Sequence, residues 1–398
     1  MTSWIEVSEQ RLAGNLRALM ESVGAETEVL AVVKANAYGH GIELCSVVLA
    51  RAGVPWLGVA DASEGARVRR ALDAAGLARI DQPAVLAMCG FLPEDVEAIV
   101  EHALTPVVWT AEQVGWLQGS GAAVHVEVDT GMARQGVHPG AELVDLLSEI
   151  QAANLPLDGV LTHFCAAEVA HSKLTQAQQW RFEATVAQVR DKGLAPRWIH
   201  AGSSSSVDNP PQDAPWLAKL AKTVGARPMV RCGIALYGYC LPIEQGRNRA
   251  SQTFDRGGAQ TALRSTLRPV MAWKTRILSL RELSTGETVG YNATFAAPRP
   301  MRLAMLPVGY ADGLRREMSS TNARPGGWVM LRGRDAVDRR APIVGRVSMN
   351  LTMVDVTGID GLHVGDEVVL LGDGITADDH ARLAETISYE VLCAVRAG

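Results

Sequence analysis

The first 240 residues alternate between short apolar runs and helix-like segments, and this alternation restricts the fold more than any other feature. The eight apolar runs are 28–34, 55–60, 84–88, 105–109, 123–129, 157–164, 197–202 and 229–238. Near-continuous apolar strands separated by helices are typical of a parallel sheet covered on both faces. Eight such units in about 240 residues predict a TIM (β/α)8 barrel. An open doubly wound sheet would carry a glycine fingerprint after its first strand, and none is there.

The pattern changes after Tyr239. Residues 241–260 are polar, contain glycine and show no period, which is typical of a linker. From about Thr261 onward the segments become short and β-like, with turn signals between them, and these features favour antiparallel strands. We therefore predict two domains, an N-terminal barrel over 1–241 and a C-terminal, mainly antiparallel β domain over 242–398.

Composition excludes several classes of protein. The chain has 398 residues, 47% of them hydrophobic, and a formal net charge of -5, so it has neither a nucleic-acid nor a membrane footprint. Its apolar runs are of strand length, and its N-terminus lacks the basic start and apolar core of a secretory signal. We therefore expect a cytoplasmic protein. The six cysteines occur singly, without CxxC spacing, so neither a zinc site nor structural disulfides are expected.

Polar residues collect at the predicted carboxyl ends of the strands, where a TIM barrel has its active site. They are Lys34, Arg134, His163, Ser203, Ser204 and Arg231. Cationic groups beside hydroxyls suit an anionic ligand, because arginine binds carboxylates in a fork and helix starts bind phosphate. A lysine at a strand end is equally typical of a solvated cap, and a single histidine of a hydrogen-bonded core residue. Spacing alone does not name a cofactor.

Longer motifs go further. They are "AVVKANAYGHG", "VDTGMARQG", "LTHF", "RCGIALYG", "VGYNATF", "VGYADG" and "GRVSMN". In type, order and spacing they resemble the alanine racemase family, whose members are fold-type III enzymes that use pyridoxal 5'-phosphate (PLP). The resemblance covers nearly the whole chain. It implies a PLP-dependent racemase that interconverts L- and D-alanine and supplies D-alanine for peptidoglycan. It also implies a head-to-tail homodimer with shared active sites.

The resemblance gives matching positions a role toward the cofactor. Lys34 is implied to form the Schiff base with PLP, and Arg231 to face the pyridine nitrogen. The implied phosphate ligands are Tyr38, Ser204, Gly233 and Ile234. His163 is implied to stack on the cofactor, with His200 behind Arg231. Because arginine holds its proton tightly, it leaves the ring nitrogen unprotonated and restrains side reactions such as transamination.

Racemisation needs two acid/base groups on opposite faces of the substrate carbon. The resemblance assigns one face to Lys34 and the other to Tyr291 of the β domain. A tyrosine is a poor base at neutral pH unless a cation favours its phenolate, and Arg134 is the matching candidate. Arg134 is also implied to contact the substrate carboxylate. Met349 is a further substrate contact from the β domain.

The chain departs from the family at several positions. Glu127 replaces a lysine, carbamylated in some members, and is predicted to pair with Arg134. Asn350 replaces a common aspartate, and Ser203 a common asparagine. The chain ends short of the usual tail, near which some members place an entrance tyrosine, so a wider entrance is expected. The residues that match the family's entrance corridor are Glu168, Tyr310, Arg316 and Arg346.

Three alternatives stay open at this point. Asn350 also occurs in racemases of broader range, which favours a broad-specificity or serine racemase. A fold-type III decarboxylase lacks this arrangement of "VGYNATF" and "GRVSMN". A non-catalytic PLP-binding homeostasis protein shares the barrel and the lysine, but it is typically a single domain without a counterpart of Tyr291.

Overall fold

The computed structural model describes residues 3–209, 213–244 and 261–396. The chain forms two compact units. The barrel unit contains Gln10–Ala37 and Gly41–Arg268. The β unit contains Met1–Glu9, Tyr38–His40 and Pro269–Gly398. Most of the predicted linker, 245–260, lies outside the described residues.

The described strands number eighteen. In chain order they are β1 (Ser3–Val7), β2 (Glu28–Val32), β3 (Trp56–Val59), β4 (Ala84–Ala87), β5 (Thr105–Val108), β6 (Val124–Glu127), β7 (Leu157–Leu161), β8 (Trp198–Ser203), β9 (Arg227–Cys232), β10 (Met271–Arg276), β11 (Ser279–Leu283), β12 (Thr288–Val289), β13 (Phe295–Ala296), β14 (Met301–Leu306), β15 (Trp328–Arg332), β16 (Asp338–Pro342), β17 (Thr352–Asp355) and β18 (Glu367–Leu371).

The described α-helices number thirteen. They are α1 (Glu9–Val23), α2 (Lys34–Tyr38), α3 (Ile42–Arg51), α4 (Ala62–Ala74), α5 (Val96–Glu101), α6 (Ala111–Trp116), α7 (Ala141–Ala152), α8 (Lys173–Asp191), α9 (Ser204–Asp208), α10 (Asp213–Lys222), α11 (Ala262–Thr266), α12 (Ala377–Leu383) and α13 (Ser388–Ala394). None of the helices in the described part of the chain is long and apolar enough to cross a membrane.

Strands β2 to β9 close into a parallel barrel in chain order, with β9 pairing back onto β2. β3, β6 and β7 are buried along their whole length, as expected for strands covered on both faces. The predicted eight-stranded parallel barrel is confirmed.

Two predicted strands are too long. The first ends at Val32, not at Lys34, because Lys34 begins a short turn of its own. The last ends at Cys232, and a 3-10 turn over Ile234–Tyr237 follows Gly233. Both corrections lie at the carboxyl ends of strands, where the chain leaves the barrel wall.

The β unit is built from antiparallel pairs, as predicted. A five-stranded sheet has the order β1-β10-β18-β15-β16, and β11, β14 and β17 form a second sheet. A core cluster of this unit contains Leu283, Val289, Ala297, Met301, Leu303 and Val344. β1, which the sequence assigned to the barrel domain, pairs instead with β10, with Ile5 opposite Trp273.

Candidate active site

The segment after β2 adopts an unusual backbone conformation. Ala35, Asn36 and Ala37 have φ values of 53, 55 and 54° and ψ values of 45–50°, and Tyr38 follows with φ 53°. The Ala37 amide donates to the Val33 carbonyl at 2.8 Å, which closes one left-handed helical turn. We call Lys34–Ala37 the Lys34 turn. Left-handed backbone costs a non-glycine residue roughly 1–2 kcal/mol, so its surroundings must hold this turn in place.

Arg231 lies near the end of β9 and is 6% exposed. Its guanidinium donates to the Thr162 carbonyl at 2.8 Å and to Nδ1 of His163 at 3.0 Å. It also meets Nδ1 of His200 at 3.3 Å. Burial lowers the pKa of Arg231 to about 10, and the nearby Glu127 carboxylate opposes that shift. Arg231 therefore stays charged at neutral pH, with a fixed orientation.

The histidines behind Arg231 form a hydrogen-bonded chain through the barrel interior. Nε2 of His200 lies 2.9 Å from Nδ1 of His125, and Nε2 of His125 lies 3.5 Å from the Asp158 carboxylate. Asp158 also pairs with Arg197, whose side chain is largely exposed. Burial lowers the pKa of both histidines, so both are neutral. With Asp158 accepting, each histidine carries its proton on Nε2 and leaves Nδ1 free to accept.

Sequence analysis did not single out His125. The available signal was a histidine inside "VHVE", a strand whose four residues are all buried. A buried imidazole needs a hydrogen-bond partner, so its position within a barrel strand indicates an internal polar network.

His163 lies just past β7, where the strand leaves the barrel wall. Burial lowers its pKa to about 3, and the positive charges of Arg231, Arg134 and Lys34 lower it further. Its carbonyl accepts from Nε2 of Gln178 at 2.9 Å, which anchors the residue to α8. His163 is thus a neutral acceptor for Arg231, close enough to feel the charges of Lys34 and Arg134.

Glu127 does not form the predicted pair with Arg134. Its buried carboxylate accepts from Nε2 of Gln135 at 2.5 Å, and among the described residues it makes no ion pair with Arg134. Burial raises the pKa of Glu127. The Asp129 carboxylate accepts from the amides of 131, 132 and 133 and turns the chain. Arg134 follows that turn and is exposed.

The predicted phosphate ligands of the barrel unit lie together. Oγ of Ser204, at the start of α9, accepts from the Gly233 amide at 3.0 Å and from the Ala235 amide at 3.2 Å. Ser203 precedes it as the cap of α9, and Ile234 is buried. A hydroxyl beside main-chain amides at the end of β9 has the donor set that a phosphate needs.

The predicted residues of the β unit lie on adjoining loops. The Tyr310 amide donates to the Ser348 carbonyl at 3.1 Å, and the Ala311 amide to the Met349 carbonyl at 3.0 Å. The side chain of Tyr291 is 66% exposed and that of Met349 55% exposed. Asn350 is exposed beside Met349. Large exposed apolar side chains on neighbouring loops are typical of a contact surface.

The predicted entrance residues are divided between the units. Tyr310 and Arg316 line an open cleft of about 800 Å³ in the β unit, together with Arg315, Glu317, Glu390 and Arg396. Arg346 is half-buried in the same unit. Glu168 belongs to the barrel unit, where its carbonyl accepts from the Glu244 amide at 2.8 Å.

The structure also shows a tyrosine that sequence analysis missed. Tyr389 of α13 lies beside Tyr38, with ring centroids 5.8 Å apart at 47°. The short end of the chain therefore does not deprive this region of a tyrosine. Tyr389 adjoins Glu390, which pairs with Arg315 in the cleft. The signal was the aromatic residue in "SYEVLC", the start of the last helix.

The chain was compared with protein families and with individual relatives. The model described as "Alanine racemase, N-terminal domain" matches residues 7–241, and "Alanine racemase, C-terminal domain" matches 270–398. The chain is 33% identical over 400 residues to the alanine racemase of Methylacidiphilum infernorum, covering 98% of this chain and 89% of the relative.

Solved structures agree. The alanine racemase of Streptomyces coelicolor is 29% identical, with a TM-score of 0.82, and the match covers 100% of this chain and 96% of that one. The alanine racemase of Bartonella henselae, solved with covalently bound pyridoxal phosphate, is 25% identical with a TM-score of 0.77. That match covers 100% of this chain and 98% of the other.

Among the described residues, no cluster of three or more histidine, cysteine or carboxylate side chains is arranged to hold a metal ion. The polar groups gathered at the carboxyl ends of the barrel strands are instead a lysine amine, a buried arginine, neutral histidines and hydroxyls. This set suits an organic anion with a phosphate group.

Proposed function

We propose that this chain, which belongs to the alanine racemase family and is an amino-acid racemase, uses PLP to interconvert L- and D-alanine. The observation that carries the proposal is the buried, charged Arg231, which donates to a neutral His163 at the end of β9. The barrel to which both belong has a first strand that ends beside Lys34. Covalently bound pyridoxal phosphate in the relative from Bartonella henselae supports the choice of cofactor.

The residues present fit PLP. We propose that Lys34 holds it covalently and that Tyr38, Ser204, Gly233 and Ile234 hold its phosphate. When bound, PLP withdraws electrons from the substrate and so acidifies the hydrogen on its α-carbon. Arg231 would face the ring nitrogen. With a pKa of about 10, it donates a hydrogen bond without giving up its proton.

Two groups would move the proton. We assign Lys34 Nζ to one face of the substrate carbon and the Tyr291 hydroxyl of a partner subunit to the other. The 66% exposure of Tyr291 supports a role on a partner's barrel. Arg134, also exposed, is available to favour the Tyr291 phenolate and to bind the substrate carboxylate. Met349 would then contact the substrate from the same partner.

This division of labour requires a head-to-tail homodimer with shared active sites. Support comes from the loops of the β unit, where Tyr310 and Met349 are exposed side by side. Supply of D-alanine for peptidoglycan, in the cytoplasm, is the role expected of a family member and completes the proposal.

A second candidate function is a racemase of broader range, including serine. Asn350 favours it, because it is exposed next to Met349 where the family commonly has an aspartate. An uncharged amide tolerates a wider range of neighbouring groups than a carboxylate does. The same experiment decides between the two functions.

The test is exchange of the α-proton in deuterium oxide with a panel of amino acids, on the purified full-length chain with PLP. We expect exchange with both enantiomers of alanine, loss of exchange in Lys34→Ala, and loss from one enantiomer only in Tyr291→Phe. Lys173→Ala, which removes an exposed lysine of α8, is the matched control. Absence of exchange with every amino acid, in a chain that binds PLP, would refute catalysis. Equal rates from both enantiomers in Tyr291→Phe would refute the two-base assignment.

A further inference from the structure

We infer that α4 holds the Lys34 turn in its left-handed form through Glu64 and Arg67, and that both are positioning residues for Lys34. We call these two side chains the α4 clamp. The inference rests on the proposed function, because the turn affects catalysis only if Lys34 binds the cofactor. No motif in the sequence pointed to either residue.

Glu64 grips the main chain of the turn. Its Oε1 accepts from the Asn36 amide at 2.9 Å, and its Oε2 accepts from the Ala60 amide at 2.9 Å. One carboxylate thus joins the middle of the Lys34 turn to the residue that follows β3. Both oxygens accept, so the ionised form is required. A glutamine in its place has a single acceptor oxygen and cannot make both bonds.

Arg67 grips the side chain of the same residue. Its NH2 group donates to Oδ1 of Asn36 at 2.8 Å, and the Asn36 oxygen also accepts from the Ile42 amide at 3.1 Å. The guanidinium forms a fork with Glu43, at 2.8 and 3.1 Å. Arg67 therefore connects the turn to the first residues of α3.

The two clamp residues are three positions apart on α4, so they lie on one face of the helix, a single turn from each other. Asn36 is held from both sides, by its amide and by its side-chain oxygen. The Arg67–Glu43 pair is half-exposed and would contribute little as an isolated surface pair. Its effect here comes from orienting Arg67 toward Asn36.

α4 is itself fixed, which makes it a rigid support. Asp61 caps its first turn, accepting from the Glu64 amide at 3.0 Å. The buried Arg69 donates to the carbonyls of His102 at 3.0 Å and Pro83 at 2.9 Å. The second βα unit of the barrel thus supports the turn of the first, whose left-handed backbone is unfavourable on its own.

The first arm of the test measures the turn itself in the full-length, PLP-free chain. Amide hydrogen exchange of 33–42 is compared between wild type, Glu64→Gln and Arg67→Met. We expect about tenfold faster exchange in each variant, since each loses a hydrogen bond to a charged group. Arg70→Met is the matched control, because Arg70 is exposed on α4 and, among the described residues, donates no hydrogen bond to the turn. Unchanged exchange in both clamp variants would overturn the inference.

The second arm titrates each protein with PLP and follows the visible absorbance of the bound form. We expect the dissociation constant to rise about tenfold in Glu64→Gln and Arg67→Met, and Arg70→Met to match wild type. Faster exchange with an unchanged dissociation constant would reject the positioning role. A wild-type chain that bound no PLP would refute the proposed function, and the exchange arm would still decide whether α4 holds the turn.

Discussion

Ala35→Gly tests the left-handed backbone of the Lys34 turn. Ala35 has φ 53° and ψ 50°, and its methyl group is exposed, so removing it takes no contact from the core. An alanine in this conformation costs about 1–2 kcal/mol relative to right-handed backbone. Glycine relieves that cost but adds about 0.4–1 kcal/mol of chain entropy to the unfolded state. The net result is a gain in unfolding free energy of roughly 0.5–1 kcal/mol.

Ala184→Gly is the matched control, since Ala184 is also exposed but lies in the middle of the right-handed α8. There the same substitution should cost about 1 kcal/mol. The two variants should therefore differ by roughly 1.5–2 kcal/mol, with opposite signs. Urea unfolding of the full-length, PLP-free chain at one protein concentration measures both, as shifts of the midpoint at constant slope. If Ala35→Gly is destabilised as much as Ala184→Gly, the backbone argument is refuted.

Three further perturbations probe other parts of the molecule. Hydrogen bonds from His125 and Arg197 outweigh burial and lower the pKa of Asp158 to about 2, below its unfolded value of about 3.9. Its contribution to stability is thus complete above about pH 4 and lost as the pH falls through 2; acid unfolding of Asp158→Asn should lack this loss, and identical profiles would contradict it. Gly39→Ala would place its Cβ 2.5 Å from the Leu392 carbonyl oxygen at φ +81°, so we expect a lower melting temperature than for Gly24→Ala, which has φ +78° and no atom within 4 Å; equal melting temperatures would count against the clash. Glu127→Gln removes an anion near Arg231, so kcat should fall about tenfold; an unchanged kcat would mean that Glu127 serves only as an acceptor for Gln135.

Sequence periodicity was sufficient for the barrel, because each strand of a parallel barrel is apolar along its length and each helix covers it locally. It was insufficient at the strand ends. Residue types in "KANAY" favour right-handed backbone, and only partners distant in sequence, on α4, stabilise the left-handed form. The pairing of β1 with β10 joins segments separated by the whole barrel, so no local pattern could predict it.

Candidate residues were found where a motif places a charged or hydroxyl group at a strand end, as for Lys34 and Arg231. They were missed where the group acts through a partner. His125 is recognised only by its distance to His200, and Tyr389 only by the ring of Tyr38. Pairing of Glu127 with Arg134 was predicted from charge alone, and the turn built on Asp129 leaves Arg134 exposed instead.

The pairing of β1 with β10 has a consequence for synthesis on the ribosome. The first strand is made at once, but its partner is roughly 270 residues away, and at about 5–20 residues per second it follows only after roughly 15–50 s. The complete barrel is translated in that interval. The barrel can thus begin folding while β1 waits as a single strand with unpaired edges, open to misplaced pairing or to a chaperone. A pause or a delay in translation between the two strands lengthens that wait.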